Sequence, residues 1–242
     1  MSRGRGRMRW PFARRDVDST AEIIATVSHE IRSPLTTIKG FTKTLIDRWD
    51  RLPDDAKLDM LRAVNADADR VTRLLTELLE VSRLEAGKLQ LHLQRVDLRE
   101  LCESVVNELA TRSEKHTLRL DGDGEVVVRG DPDKLLRVLT NLVENAQKYT
   151  DGGEVVVGFR PDGDWGETTV TDQGSGIPEG QQKTIFDKFA QLEAKSSGTV
   201  ASTGLGLTFC KLAVEAHGGR ILVESPAGGG RGARFVCVLP LE

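Results

Sequence analysis

Two consecutive apolar seams of helical period, separated by a short polar break, constrain the first third of this chain more than any other feature. Ile24, Val27, Ile31, Ile38, Phe41 and Leu45 advance by steps of three and four once Pro34 fills the gap, which is the spacing of a coiled-coil seam. Ser19 can cap that helix at its start. Residues 48–55 hold a bend, with Pro53 suited to the first turn of a second helix. There Leu61, Val64, Ala68, Val71, Leu75 and Leu78 repeat the spacing until Gly87 offers a stop. Two antiparallel helices follow. A lone hairpin with stripes this long leaves apolar surface wet, so pairing with a second copy through residues 20–86, as a dimeric four-helix bundle, is expected. Packing of the hairpin on the rest of its own chain is the other way to cover it.

Beyond Leu89 the period changes. A helix is expected near 97–115, strands at 117–120, 125–129, 154–160 and 167–172, helices at 132–149 and 204–217, and closing strands at 220–224 and 233–239. Helices alternating irregularly with hairpin-like strands predict an α/β sandwich with a mixed sheet, so the fold class is α+β: a helical hairpin, then the sandwich. The domain boundaries are a basic, disordered leader at 1–18, the hairpin at 19–88 and the sandwich domain at 89–242. Glycines such as Gly122, Gly124, Gly152 and Gly153 read first as turns.

Composition removes several classes. With 38% hydrophobic and 29% charged residues among 242, the chain can bury real cores. No apolar run nears the roughly 20 residues of a membrane span, and no secretory signal opens the sequence, so a cytoplasmic location is expected. Cys102, Cys210 and Cys237 lack the spacing of a zinc knuckle or a disulfide framework. The net charge of −3 conceals six arginines and no acid in residues 1–15. That run reads as a solvated leader, and direct nucleic-acid binding is not expected.

Counting Ile24 as the first heptad position puts His29 on the outward face of its helix, followed by Glu30. Pro34 cannot donate to the Glu30 carbonyl, so a bend beside the histidine is expected. The segment Ser28-His29-Glu30-Ile31-Arg32-Ser33-Pro34-Leu35 resembles the phosphoacceptor box of the sensor histidine kinases of bacterial two-component systems. Four further segments resemble that family's boxes, in its order. Asn141 to Tyr149 is similar to the asparagine box, and Asp172-Gln173-Gly174-Ser175-Gly176 to the first glycine box. Phe186-Asp187-Lys188-Phe189 is similar to the phenylalanine box, and Thr203-Gly204-Leu205-Gly206-Leu207 to the second glycine box. One D-x-G-x-G is weak; the ordered set, spanning about residues 20–240, is specific.

The resemblance implies autophosphorylation of His29 by ATP and transfer of the phosphoryl group to an aspartate of a response-regulator receiver domain. Each box also has a physical reading. Asn141 and Asn145 are four apart on one helix face, where their amide oxygens can meet a Mg²⁺ ion bridging the phosphates, and Lys148 adds a positive charge. Taken alone, a solvated helix face explains two asparagines as well. The resemblance makes Asn145 the stronger metal ligand and puts Tyr149 close to the nucleotide. Asp172 can accept from the exocyclic amine of adenine, while Gly174 and Gly176 let the backbone approach a flat ring. Without the other boxes an ordinary Asp-Gly turn would suffice.

Between Phe189 and Gly204 a small, polar stretch matches the family's ATP lid. Gly204, Leu205 and Gly206, after Thr203, open a helix whose amides can receive phosphate oxygens. Two positions depart from the family's pattern. Ser202 stands where the second glycine box commonly begins with glycine. Ser33 stands where threonine or asparagine commonly orients water for dephosphorylation of the partner, so phosphatase activity is not implied. Two other classes compete: a non-catalytic nucleotide-binding dimeric scaffold, and an ATPase of the same nucleotide-binding fold that would use Glu144 to activate water. The hairpin carrying His29 speaks against both. No sensor domain is legible, which points to a separate sensor protein or a truncated one.

Overall fold

A computed structural model describes residues 18–86, 90–111, 115–190, 203–227 and 230–242, and the side chains from residue 27 onward among these. The expected leader, Gly87 and the lid stretch 191–202, including Ser202, lie outside the described residues. The chain divides into two compact units, Met1–Arg70 and Val71–Glu242.

Helix α1 spans Asp18–Arg48, a single 3₁₀ turn covers Trp49–Arg51, and helix α2 spans Asp54–Glu85. The bend therefore falls where expected, and the Pro53 carbonyl accepts the first helical bond, from Lys57 N at 3.1 Å. Ser19 lies inside α1 and not at a cap. The α1 helix is continuous through Pro34, whose ring is buried.

The second seam is shifted from its expected place. Along α2 the covered side is Met60, Val64, Asp67, Val71, Leu74, Leu78, Val81 and Leu84. Leu61, Ala68 and Leu75 are exposed instead, Leu61 by 47% and Leu75 by 45%. Together with Leu58, Asn65, Thr72 and Leu79 they form a second stripe, also advancing by three and four. The helix thus carries two adjacent stripes. The spacing of the expected seam draws on both, since Val64, Val71 and Leu78 belong to one and Leu61, Ala68 and Leu75 to the other.

The second unit contains strand β1 (Gln94–Asp97), helix α3 (Leu98–Ala110), strands β2 (His116–Asp121) and β3 (Val127–Gly130), and helix α4 (Pro132–Lys148). Strands β4 (Gly153–Asp162) and β5 (Trp165–Thr171), helix α5 (Gly206–Ala216), and strands β6 (Arg220–Glu224) and β7 (Arg234–Pro240) complete it. The main sheet runs β2-β4-β5-β7-β6, and β1 pairs with β3 in a small separate ladder. Only the β2–β4 neighbours are parallel; the other pairs of the main sheet are antiparallel, so the sheet is mixed as expected. Strand β1 was not foreseen, because Gln-Arg-Val-Asp shows too little alternation to signal a strand.

Helix α4 shows how sequence pattern sets the site. Leu135, Val138, Leu139, Leu142, Val143 and Ala146 recur at helical spacing and are buried in the core with Val155, Val157, Phe159 and Val170 of the sheet. Burying each of the leucines and valines among them stabilises the fold by about 1.5 to 3 kcal/mol. That orientation turns Asn141, Glu144, Asn145 and Lys148 to the opposite side. Asp131 caps the helix, its carboxylate accepting from Lys134 N at 3.2 Å and from His92 N at 3.0 Å.

Candidate nucleotide site

The side chains that α4 turns outward line a cavity of about 490 Å³. Asn141, Asn145, Lys148 and Tyr149 come from the end of α4, Asp172 and Gly176 from the turn after β5, and Thr203, Gly204 and Gly206 from the start of α5. Nine of the expected residues therefore meet in one place. Gly174 and Leu205 do not line it: Gly174 braces Asp172, and Leu205 is fully buried in support of the α5 turn.

Asp172 continues the β5–β7 ladder, its N–H donating to Ala233 O at 2.9 Å. Its carboxylate is anchored through one oxygen, Oδ1, which accepts from Gly174 N at 2.8 Å and Ala233 N at 3.2 Å. No donor among the described residues reaches Oδ2. Burial raises the Asp172 pKa above the usual carboxylate value, against the pull of those two N–H groups. A buried carboxylate with one satisfied and one waiting oxygen is suited to a ligand N–H. The glycines around it are required by space: a Cβ at Gly174 would lie 2.5 Å from Tyr149 O, and Gly176 has φ +73° with Ser225 Oγ 2.8 Å from where its Cβ would be.

At the other end, Thr203 Oγ1 accepts from Leu205 N at 3.2 Å and donates to Glu77 Oε2 at 2.6 Å. Gly204 has φ +68°, and a Cβ there would stand 2.6 Å from Phe189 Cα. Phe189 N donates to Gly204 O at 2.9 Å, so the second glycine box is seated on the phenylalanine box. Helix α5 then begins without a side-chain cap. The N–H groups of its first turn beside the cavity suit an anionic ligand. A Cβ on Gly206 would be 3.8 Å from the Asn141 amide, which puts Asn141 at this end. The buried Cys210 thiol on α5 donates to Val138 O at 3.6 Å, and burial pushes its pKa up to about 12.

Amide oxygens on α4 could share a hard cation with phosphate oxygens, since that ion accepts carbonyl, phosphate and water ligands. Among the described residues no group of three or more His, Cys, Asp or Glu is placed to hold a metal by itself. The residue set fits a cation brought in with an anionic ligand.

Sequence reasoning missed the apolar wall, Ile177, Ile185, Leu207 and Phe235, and two ionic residues of α2, Arg73 and Glu77. The wall carries no spacing signal. Arg73 and Glu77 sit in what read as the solvated face of a hairpin. In the first unit, His29 is exposed on α1, as the heptad count expected, and Ser33 is exposed as well. The Glu30 carboxylate is held by Arg70 of α2, with Nη2 to Oε2 at 3.1 Å.

Two family models match the chain: His Kinase A (phospho-acceptor) domain over residues 19–87, and histidine kinase-, DNA gyrase B-, and HSP90-like ATPase over residues 130–242. Among curated proteins, it is 34% identical to the circadian input-output histidine kinase CikA of Synechococcus elongatus, over 90% of this chain and 30% of the relative. It is 34% identical to the alginate biosynthesis sensor protein KinB of Pseudomonas aeruginosa, over 91% of this chain and 37% of the relative. The chain thus spans about a third of the length of these relatives. Among solved structures, histidine kinase ThkA in complex with response regulator protein TrrA superposes with TM-score 0.72 at 26% identity, over 93% of this chain and 63% of that one. Acinetobacter baumannii histidine kinase AdeS has the same fold, with TM-score 0.72 at 22% identity over 88% of this chain and 98% of that one. No described helix is long and apolar enough to cross a membrane.

Proposed function

Since the chain belongs to the sensor histidine kinases of two-component systems, we propose that it moves the γ-phosphoryl group of ATP to an imidazole nitrogen of His29, and from there to an aspartate of a response-regulator receiver domain. The observation that carries this reading is the cavity itself. It joins a half-satisfied buried carboxylate at one end to an uncapped helix start and outward-turned asparagines at the other. A ligand with a flat ring bearing one N–H donor and a long anionic tail matches both ends.

In this reading Asp172 Oδ2 accepts from the exocyclic amine of adenine, and the apolar wall with Tyr149 flanks the ring. Asn141, Asn145, Lys148, Thr203 and the backbone of Gly204 to Gly206 hold the triphosphate. Mg²⁺ bound with ATP, on Asn145 and Asn141, would neutralise charge on the phosphates. His29 offers an exposed imidazole, and Glu30 is suited to accept from its second ring N–H, which keeps the attacking nitrogen's lone pair free. Because Glu30 is paired with Arg70, that acceptance requires the carboxylate to be shared or released. Ser33, four residues on, is the position that would orient water toward a phosphorylated partner.

The exposed stripe of α2 supports a homodimer through the hairpin, and ThkA solved with its response regulator supports a receiver domain as the second substrate. ATP and such a partner are found in the cytoplasm, where we place the reaction, with the stimulus arriving from a sensor protein or sensor segment. Labelling with γ-labelled ATP and Mg²⁺ tests the reading. His29→Ala should bind Mg-ATP and take up no label, whereas Asn145→Ala should lose Mg-dependent ATP binding with His29 intact. Wild-type label should be acid-labile and base-stable, as a phosphorus–nitrogen bond is. Label that persists in folded His29→Ala, or that survives acid, would remove His29 as the acceptor. ATP turnover that continues in His29→Ala would favour direct hydrolysis, for which Glu144 lines the cavity.

A further inference from the structure

The basic side chains that face the last turns of α2 are matched to acids. Lys134 Nζ lies 3.7 Å from Glu80 Oε1, Arg137 pairs with the same glutamate, and Lys188 Nζ lies 2.7 Å from Glu85 Oε2. Arg137 also stacks over the Phe209 ring at 4.3 Å. Arg73 is the exception. It lines the cavity, it is exposed, and among the described residues it has no hydrogen bond or ion pair.

Its position within the cavity follows from its neighbour. Glu77, which also lines the cavity, accepts from Thr203 Oγ1 at 2.6 Å and so stands beside the start of α5. Arg73 lies one turn earlier on the same face of α2, roughly 5 to 6 Å away between Cβ atoms. That is the end where Gly206 and the Asn141 amide meet, opposite Asp172. A guanidinium with five donors and no acid partner among the described residues, at the mouth of the phosphate end, is complementary to a terminal phosphate, which it can grip through two parallel hydrogen bonds.

We propose that Arg73 is a further nucleotide-contacting residue, supplied by α2, that binds the terminal phosphate of the triphosphate and so distinguishes ATP from ADP. The inference rests on the reading of the cavity as an ATP site. Glu77 is then a positioning residue: it directs its charge onto the Thr203 hydroxyl and away from the phosphates, and it fixes the α5 start to the helix that carries Arg73. Triphosphate binding would in consequence strengthen the seating of the last turns of α2 on this unit.

Titration calorimetry on the full chain with Mg²⁺ and either the β,γ-imido analogue of ATP or ADP tests this. Arg73→Gln should weaken the ATP analogue about tenfold and change ADP by less than about twofold, the pattern of one lost charge-assisted phosphate contact. Arg73→Lys should recover part of the difference, since it restores the charge without the fork. Equal losses for both nucleotides, or an unchanged ratio in Arg73→Gln, would overturn the assignment. If the wild-type chain binds neither nucleotide, it is the ATP-site reading that fails, and this inference with it.

Discussion

At Asp172, stability and binding pull in opposite directions. Burial raises its pKa in the folded chain. A carboxyl raised in this way favours folding most below its unfolded pKa, and that contribution is lost as pH rises through the folded value. At neutral pH the ionised group is therefore held at a cost. Asp172→Asn should keep Oδ1 as the acceptor for Gly174 and Ala233 while presenting an NH₂ group where Oδ2 waits. Thermal melting at pH 7 should show a variant no less stable than wild type, yet calorimetry should show ATP affinity lower by roughly tenfold to a hundredfold, the loss of a charge-assisted bond of about 1.5 to 3 kcal/mol. A variant that melts early, or one that binds ATP as before, would contradict this account. The residue was legible in the sequence by its place in a D-x-G-x-G turn. The division of labour between its two oxygens was not, because Ala233 is 61 residues away and reaches it only through the β5–β7 pairing.

Helix α4 depends on Asp131 in the contrary sense. Burial alone would raise this carboxyl's pKa, but the N–H groups of His92 and Lys134 and the positive charge of Lys134 outweigh it and lower the pKa below 3.8. Its contribution is present above the unfolded value and disappears as pH falls through the folded one. Its own N–H is held as well, donating to Nε2 of His217, whose Nδ1 donates to Ala213 O. Asp131→Ala should lower stability by about 1 to 2 kcal/mol at pH 7, the usual range for a lost helix cap. In urea unfolding the gap between variant and wild type should narrow as the pH is taken below 3.8, and a gap independent of pH would argue against the cap. At this scale the sequence was informative for a physical reason: α3, α4 and α5 carry apolar stripes of 3.6 period, and β4 and β5 carry β-branched runs. Strand β1 was hidden because its pairing to β3 owes little to its own pattern.

Across the molecule, the stripe of α2 that includes Leu58, Leu61, Leu75 and Leu79 remains uncovered within a single chain. Leu75→Glu and Leu61→Glu alter exposed positions, so each should leave the fold intact and, by placing an unpaired charge in a buried seam, move the protein from dimer to monomer in light scattering at micromolar concentration. A monomeric wild-type chain, or variants that stay dimeric, would refute the bundle. Phe41 is a poorer probe than its heptad position implied, since it is already partly covered within the chain. What periodicity could not convey was which of two interleaved stripes on α2 is satisfied internally, because both advance by three and four. The second compact unit begins inside α2, at Val71. A fragment cut at residue 90 would keep every strand of the main sheet but shed Arg73 and Glu77. Inhibitors screened against such a fragment would be ranked for a doorway wider and less charged than the one the intact chain presents.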